Sequence, residues 1–358
     1  MKAAIISLGS ISSRWTVDAL KKYFDEVDQI DIQELEVSLG EKKAQVLYQG
    51  KPLLKYDCIY AKGSFRYATL LRAITTLLQK ETYMPLKAGS FTIGHDKLLT
   101  HLKFQEYDVP QPTTYIAATA DAGKKIVKKI AFPVIMKLPA GTHGKGVMLA
   151  DSPESASSMI DALALLKQPF LLQEYIETDG TDYRVIVVGD EVAAAMKRVA
   201  AKGEKRANIH SGGHGEKIEL DAKTKRAAIA AARATGCDIC AVDILPSPQG
   251  PIVLEVNLSP GLQGITKVTG IKVAEIIAKF LFTKTKEMHE KGKEEIVKEL
   301  GPEQEIHGTL DYRGNKILLP EVVTMASKIK EDDEVIIKAR KGHVEITKTG
   351  AKVEKGKE

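Results

Sequence analysis

Cysteine, tryptophan and long apolar runs are all scarce in this chain: three Cys and one Trp stand among its 358 residues. So few thiols suit a reducing compartment and exclude a disulfide-built scaffold. Cys237 and Cys240 form a C-x-x-C, but Cys58 is distant in sequence. A four-thiolate zinc site is therefore excluded, and the pair reads as two small buried side chains. The apolar runs, such as that around Ile276 to Phe282, fall short of the roughly 20 residues of a spanning helix, so no membrane segment is expected. The opening MKAAIISLGS lacks the core and cleavage site of a signal peptide and reads as a first strand; the expected location is the cytoplasm. No charge sign dominates: the net charge is +5, with both signs interspersed, which by itself gives no reason to expect nucleic acid. Asn is scarce while Lys and Glu abound, a balance that leans toward a thermophilic source.

What is present is an alternation of strand and helix patterns, long enough for two or three domains. AAIIS, helical spacing from Val17 to Phe24, QIDI, a hairpin in QVLYQGKPLL and DCIYAK predict an α/β domain over residues 1–92. After a helix over Leu70 to Leu78, the polar break in MPLKAGSFTIGHDK places a boundary near Ile93. Residues 93–185 then read TTYIAA, a helix from Ala122 to Ile130, FPVIMKL, a glycine-rich turn, GVMLA, a helix from Glu154 to Leu166 and FLLQEYI. Residues 186–283 continue with strands turning at Gly189-Asp190, a helix from Ala222 to Thr235, AVDIL, IVLEVN and a helix from Val273 to Phe282. Residues 284–306, dense in Lys and Glu, read as a charged linker or exposed helix, and 307–358 as a small β-rich appendage with a turn at Lys341-Gly342.

The chemistry concentrates in AVDILPSPQGPIVLEVN. Residues two apart in a strand share a face, so Glu255 and Asn257 project together, and a hairpin about Pro248 and Gln249 sets Asp243 nearly opposite Glu255. Two carboxylates and an amide oxygen make the hard donor set that Mg²⁺ prefers, and a cation explains why like charges stand so close. The competing reading is a solvated hairpin with charged positions. A second signal is KLPAGTHGKGV, where Gly141, Gly144 and Gly146 let backbone N–H groups close over phosphates. It is not a Walker A loop, because Lys145 precedes Gly, and alone it reads equally as a flexible turn. A third is the set of cations Lys97, Lys137, Arg184, Lys197, Arg198 and Arg206, each unremarkable alone but suited together to a triphosphate. In QEYIE, Glu174 and Tyr175 end a buried strand and turn polar atoms toward a base and ribose.

These motifs, with DKL around Lys97, VVGDEVAAAMKR, RANIHSGG, EVNLSPGLQGI and TGI, make residues 1–282 resemble the RimK-type glutamate ligases of the ATP-grasp superfamily. The resemblance implies α/β and α+β architecture: an ATP-grasp fold with an N-terminal α/β (pre-ATP-grasp) domain and two subdomains gripping ATP. By motif, Lys97, Lys137 and the glycine loop would contact phosphates, Glu174 and Tyr175 the adenine, and Asp182 the ribose side. Arg206, Ala207 and Asn208 would meet ATP, with Arg206 and Asn208 at the reacting acyl-phosphate. Asp243, Glu255 and Asn257 would hold two Mg²⁺ or Mn²⁺, while Arg184, Arg198, Ser259 and Gly261 would border the acceptor. His210 and His214 among glycines read as a substrate loop rather than a zinc pair, and His143 as a lid residue.

The expected reaction joins an amino acid, L-glutamate by the RANIHSGG form, to a carboxyl-bearing acceptor: a ribosomal protein tail, a glutamate peptide or an archaeal coenzyme. A carrier-protein ligase of the lysine-biosynthesis type and a nucleotide-sensing DNA-binding regulator are the alternatives. The tail, NKILLPEVV and EDDEVIIKARKGHVEITK, is similar to the AbrB/SpoVT module. That similarity implies a homo-oligomer or acceptor recruitment, with nucleic-acid binding less favoured because Glu331 to Glu334 offset its basic residues.

Overall fold

A computed structural model of the chain describes residues 1–40, 43–138, 146–165, 167–200, 213–299, 311–314, 316–320, 323–324, 327–330 and 333–352. The chain forms two compact units, Met1–Thr285 and Lys286–Glu358.

In the first unit, β1 (Lys2–Ser7) leads through α1 (Ile11–Leu20) to β2 (Glu26–Asp31). A meander of β3 (Leu35–Ser38), β4 (Gln45–Tyr48) and β5 (Lys51–Pro52) precedes β6 (Cys58–Ala61). β1, β2 and β6 make a parallel sheet in the order β2-β1-β6. β1 and β6 are buried along nearly their whole length, as parallel strands covered on both faces must be, which is why they read as continuous apolar runs. The β4–β5 turn puts Gln49 and Gly50 at φ of 52° and 71°, the left-handed pair of a tight hairpin.

α2 (Ala68–Leu78) and α3 (Ser90–Ile93) bring the chain to α4 (Lys97–Glu106). Asp96 caps α4, its carboxylate accepting from the Leu98 and Leu99 amides. Next come β7 (Thr114–Ala117), α5 (Ala120–Val127), β8 (Val134–Lys137), β9 (Val147–Ala150), α6 (Pro153–Ala164) and β10 (Phe170–Glu174). The four strands form an antiparallel sheet in the order β7-β10-β8-β9 around a small core of Val134, Met136, Ile160, Phe170 and Leu172.

The largest sheet runs β13-β12-β11-β14-β15, from β11 (Thr181–Val188), β12 (Glu191–Val199), β13 (His214–Lys217), β14 (Ile239–Ser247) and β15 (Gly250–Asn257). α7 (Ala222–Thr235) packs on it through buried Ala227, Ala228, Ala231 and Ala232, small side chains that allow a close approach. α8 (Gln263–Thr269) and α9 (Val273–Glu299) follow.

The structure divides this body differently from the sequence expectation at two places. β11 crosses the boundary expected at 185/186: it is one strand paired on both edges, so the large sheet begins at Thr181. Residues 93–109, expected with the central subdomain, pack elsewhere. Phe104 and Val109 belong to the core that joins the N-terminal sheet to the five-stranded sheet, because α4 lies against α7 and β15.

In the second unit, β16 (Asp311–Arg313) pairs with β17 (Lys316–Leu318), and β18 (Asp333–Arg340) with β19 (His343–Lys352) about the Lys341-Gly342 turn. α9 runs on to Glu299, through most of the expected linker. No helix among the described residues is long and apolar enough to cross a membrane.

Candidate active site

Antiparallel register sets one row of side chains straight across the large sheet. Arg184 on β11 lies opposite Asp243 on β14, which lies opposite Glu255 on β15. Directly opposed residues share a face, so the three converge. Asn257, two positions beyond Glu255, joins them on that face, as do Asp182 and Arg198, opposed on β11 and β12 two positions from Arg184. The turn residues are Pro248 and Gln249, with Ser247 paired to Gly250.

The two carboxylates of the hairpin are not equivalent. Asp243 is 3% exposed and is gripped by Arg184, Nε to Oδ1 at 2.9 Å and Nη2 to Oδ2 at 2.7 Å. Arg198 Nη2 adds a contact to Oδ2 at 3.0 Å. Burial alone would raise the Asp243 carboxyl, but the two guanidinium groups outweigh it and hold it well below the usual carboxylate range. Glu255 has a poorer setting. Burial and then the Asp243 charge push its pKa up, opposed by Lys137 and Arg184.

Asn257 Nδ2 donates to Asp243 Oδ2 and to Glu255 Oε1, each at 3.3 Å. An amide dipole thus lies positive end first between two like charges, where a divalent cation would be more effective. Turning that amide over presents Oδ1 instead, giving the carboxylate-and-carbonyl donor set of a hard cation. Among the described residues no three His, Cys, Asp or Glu side chains form a metal-binding group, so a metal here would take its third protein donor from Asn257. The residues fit Mg²⁺ or Mn²⁺ by chemistry.

Two lysines complete the charged face. Glu255 raises the pKa of both Lys97 and Lys137, against a larger lowering by burial. Lys137 is 8% exposed and its pKa is lowered to about 8. Its ammonium donates to Gln173 Oε1 at 2.5 Å. Gln173 in turn meets His101 and Thr114, a buried polar cluster that sequence reasoning missed. The signal available was one Gln inside the apolar FLLQE strand.

The other expected residues divide. Arg184 and Arg198, assigned to the acceptor by resemblance, are engaged by Asp243 and Asp182. Asp182, assigned to the ribose side, has both oxygens on Arg198, at 2.5 and 2.7 Å. Lys197, next to Arg198 on the strand, projects to the opposite face, with Glu216 at 3.9 Å. Glu174 ends β10, accepts from the Thr113 amide at 3.2 Å, and lines a recess of about 210 Å³ with Tyr115, Lys129, Leu172 and Gln173; Tyr175 follows it, partly buried. Ser259 and Gly261 are exposed just beyond β15, and the Leu262 amide donates to Ser12 Oγ of α1 at 2.8 Å. Gly146 has φ of 76° beside Leu138. Gly141, Gly144, His143, Arg206, Ala207, Asn208 and His210 lie outside the described residues. His214, on exposed β13, faces Glu216 at 3.1 Å. Cys237 and Cys240 are buried, and burial raises both thiols, keeping them protonated.

Comparison with known proteins covers the stretch of chain that carries this face. A RimK-like ATP-grasp domain is matched over residues 94–281. The chain is 38% identical over 289 residues to a probable alpha-L-glutamate ligase of Marinomonas sp. (strain MWYL1), covering 78% of this chain and 95% of that one. It is 36% identical over 301 residues to probable alpha-L-glutamate ligase 1 of Pseudoalteromonas atlantica, covering 81% and 97%. A RimK domain ATP-grasp protein from Sphaerobacter thermophilus superposes with a TM-score of 0.61 at 20% identity, covering 78% of this chain and 99% of that one. The ATP-grasp ligase PsnB, solved with minimal precursor, Mg and ADP, gives 0.62 at 19%, covering 80% and 98%. With the family domain matched over more than half its length and relatives spanned nearly end to end, this chain belongs to the RimK-like ATP-grasp family and is an ATP-dependent carboxylate–amine ligase that forms a C–N bond.

Proposed function

We propose that the reaction is the addition of L-glutamate to a carboxyl-bearing acceptor by way of an acyl-phosphate. The observation that carries this is the row of Arg184, Asp243 and Glu255 across the large sheet, with the Glu255 charge acting on Lys97 and Lys137. Such a face can bring two anions together. Glutamate as the incoming amine is supported by the relatives, which are probable alpha-L-glutamate ligases.

In the first step an acceptor carboxylate oxygen bonds to the γ-phosphorus of ATP while the bond to the β,γ-bridging oxygen breaks and ADP leaves. In the second, the amine nitrogen attacks the acyl carbon, phosphate departs with the electron pair of the C–O bond, and the proton lost by the amine goes to the departing phosphate. Lys97 and Lys137 are assigned to the phosphates, and Glu174 and Tyr175 to the adenine edge. Arg206 and Asn208 are assigned to the reacting phosphoryl group, and Ser259 and Gly261 to the acceptor. Asp243, Glu255 and Asn257 would hold divalent metal, Mg²⁺ or Mn²⁺, which when bound supplies charge neutralisation of the phosphates. Arg184 and Arg198 keep Asp243 ionised and oriented. By its resemblance to the AbrB/SpoVT module, the tail is assigned to self-association.

The test is phosphate release from Mg-ATP with each of the twenty amino acids, supplied first with pooled small metabolites and then with pooled proteins. Glutamate-dependent release with one pool establishes the reading and names the acceptor class. ATP binding without release in either pool would overturn it in favour of a nucleotide sensor.

A further inference from the structure

His101 on α4 is 7% exposed, and Gln173 on β10 is 1% exposed. The direction of every hydrogen bond around them can be assigned. Thr114 donates its hydroxyl hydrogen to the Pro112 carbonyl at 2.9 Å, so its Oγ1 accepts from Gln173 Nε2 at 2.8 Å. Gln111 Nε2 donates to the His101 carbonyl at 3.1 Å, so the end of that amide facing the ring at 2.6 Å is its oxygen. Nδ1 of His101 therefore carries the hydrogen, and Nε2 presents a lone pair to Gln173 Nε2 at 3.0 Å. Both Gln173 amide hydrogens are thus committed, and its oxygen is left facing the Lys137 ammonium at 2.5 Å.

We propose that His101 is a positioning residue for the nucleotide site: by accepting from Gln173 it fixes that amide so its oxygen holds the Lys137 ammonium. The proposal rests on the reading that Lys137 meets the nucleotide's phosphates. Were the amide reversed, its NH₂ would abut the ammonium and its oxygen would face both the imidazole lone pair and Thr114 Oγ1, so three attractions become three repulsions. An imidazolium would work against the observed orientation, because its Nε2–H cannot accept. The setting opposes one: burial first, then Lys137 and Lys97, bring the His101 pKa down to about 4 against the Gln111 hydrogen bond. The charged groups acting on the ring, Lys97 from its own helix and Lys137 from β8, are both cations. Phe104 packs edge-on at 5.9 Å from the ring.

The experiment uses the full chain and three variants, His101→Leu, His101→Gln and Lys137→Met. His101→Leu removes the acceptor. His101→Gln restores one, with an NH₂ for Gln111. The first readout is the pH midpoint of Lys137 acylation by acetic anhydride, followed by peptide mass spectrometry; the second is affinity for Mg-ADP by calorimetry. The wild-type midpoint is expected near 8. In His101→Leu it should fall by about one pH unit, because the Gln173 oxygen is held less firmly on the ammonium, and Mg-ADP affinity measured at about pH 9, above both midpoints, should fall about tenfold, the same energy. His101→Gln should recover both. A midpoint unchanged in His101→Leu, or unrecovered in His101→Gln, overturns the proposal. Unchanged Mg-ADP affinity in Lys137→Met would instead overturn the phosphate reading while the midpoint result stands. Should His101→Leu not fold, nitrogen-15 NMR of histidine-labelled wild type decides: an Nδ1–H tautomer is required, and an Nε2–H tautomer overturns the proposal.

Discussion

Asp243 and Glu255 face each other across one hairpin, yet removing them has different consequences. Asp243 is the shared partner of Arg184 and Arg198, so Asp243→Ala removes the carboxylate that Arg184 grips and leaves Arg198 with Asp182 alone. It should cost about 3–5 kcal/mol of stability as well as turnover, and thermal melting with and without nucleotide would show it. Among the described residues the Glu255 carboxylate has one hydrogen bond, the long Asn257 contact at 3.3 Å. Glu255→Gln should keep or raise the melting temperature while lowering turnover by about 10²-fold or more; a normal rate would remove the metal assignment. Lys62 offers a pH-linked test. It is 5% exposed, its ammonium 5.4 Å from the Tyr60 ring centroid, and burial lowers its pKa from 10.5 to about 8. With the folded value below the unfolded one, the cost of burying charge is complete below about pH 8 and disappears as pH rises toward 10.5. Lys62→Met should therefore raise the melting temperature at pH 7, by an energy on the order of 3 kcal/mol, and the advantage should shrink between pH 8 and 10.5. An advantage constant with pH would refute the linkage.

At the scale of elements, α5 shows how packing reverses a propensity rule. Ala normally stabilises a helix over Gly by about 1 kcal/mol. In α5, however, a Cβ at Gly123 would lie 2.7 Å from Phe170 Cζ and 3.2 Å from Ile160 Cδ1, both buried. Gly123→Ala should therefore destabilise by about 1–3 kcal/mol, readable as a lower denaturant midpoint; a higher one would mean the small core gives way. Most elements were legible because their signals are local. Ala222 to Thr235 is bounded by an Asp cap and a left-handed Gly, and the β14–β15 hairpin turns on Pro248 and Gln249. β13 escaped because HGEK carries no apolar residue, and β3 because LEVS alternates over only four residues. The boundary within β11 was misplaced because a strand's sheet membership depends on partners distant in sequence.

Across the whole molecule, one hydrophobic core joins the N-terminal sheet to the large sheet, while the four-stranded sheet has its own. Truncation after Glu299 leaves both cores and all of α9 in place. The shortened chain should keep its melting temperature within a few degrees and its ATP-dependent turnover, and should lose mass per particle by light scattering if the tail self-associates. Unchanged particle stoichiometry would dismiss that assignment. By itself the sequence determined the order of most strands and helices, the placing of Asp243, Glu255 and Asn257 together on one hairpin and the family, because strand period, turn chemistry and motif spacing are properties of neighbouring residues. Only the tertiary structure decided that Arg184 and Arg198 serve Asp243, and that α4 belongs with the large sheet. It alone decided that His101 stands behind Lys137. Those are choices of partner across tens of residues, settled by sheet register and by the cost of leaving a buried polar atom unpaired.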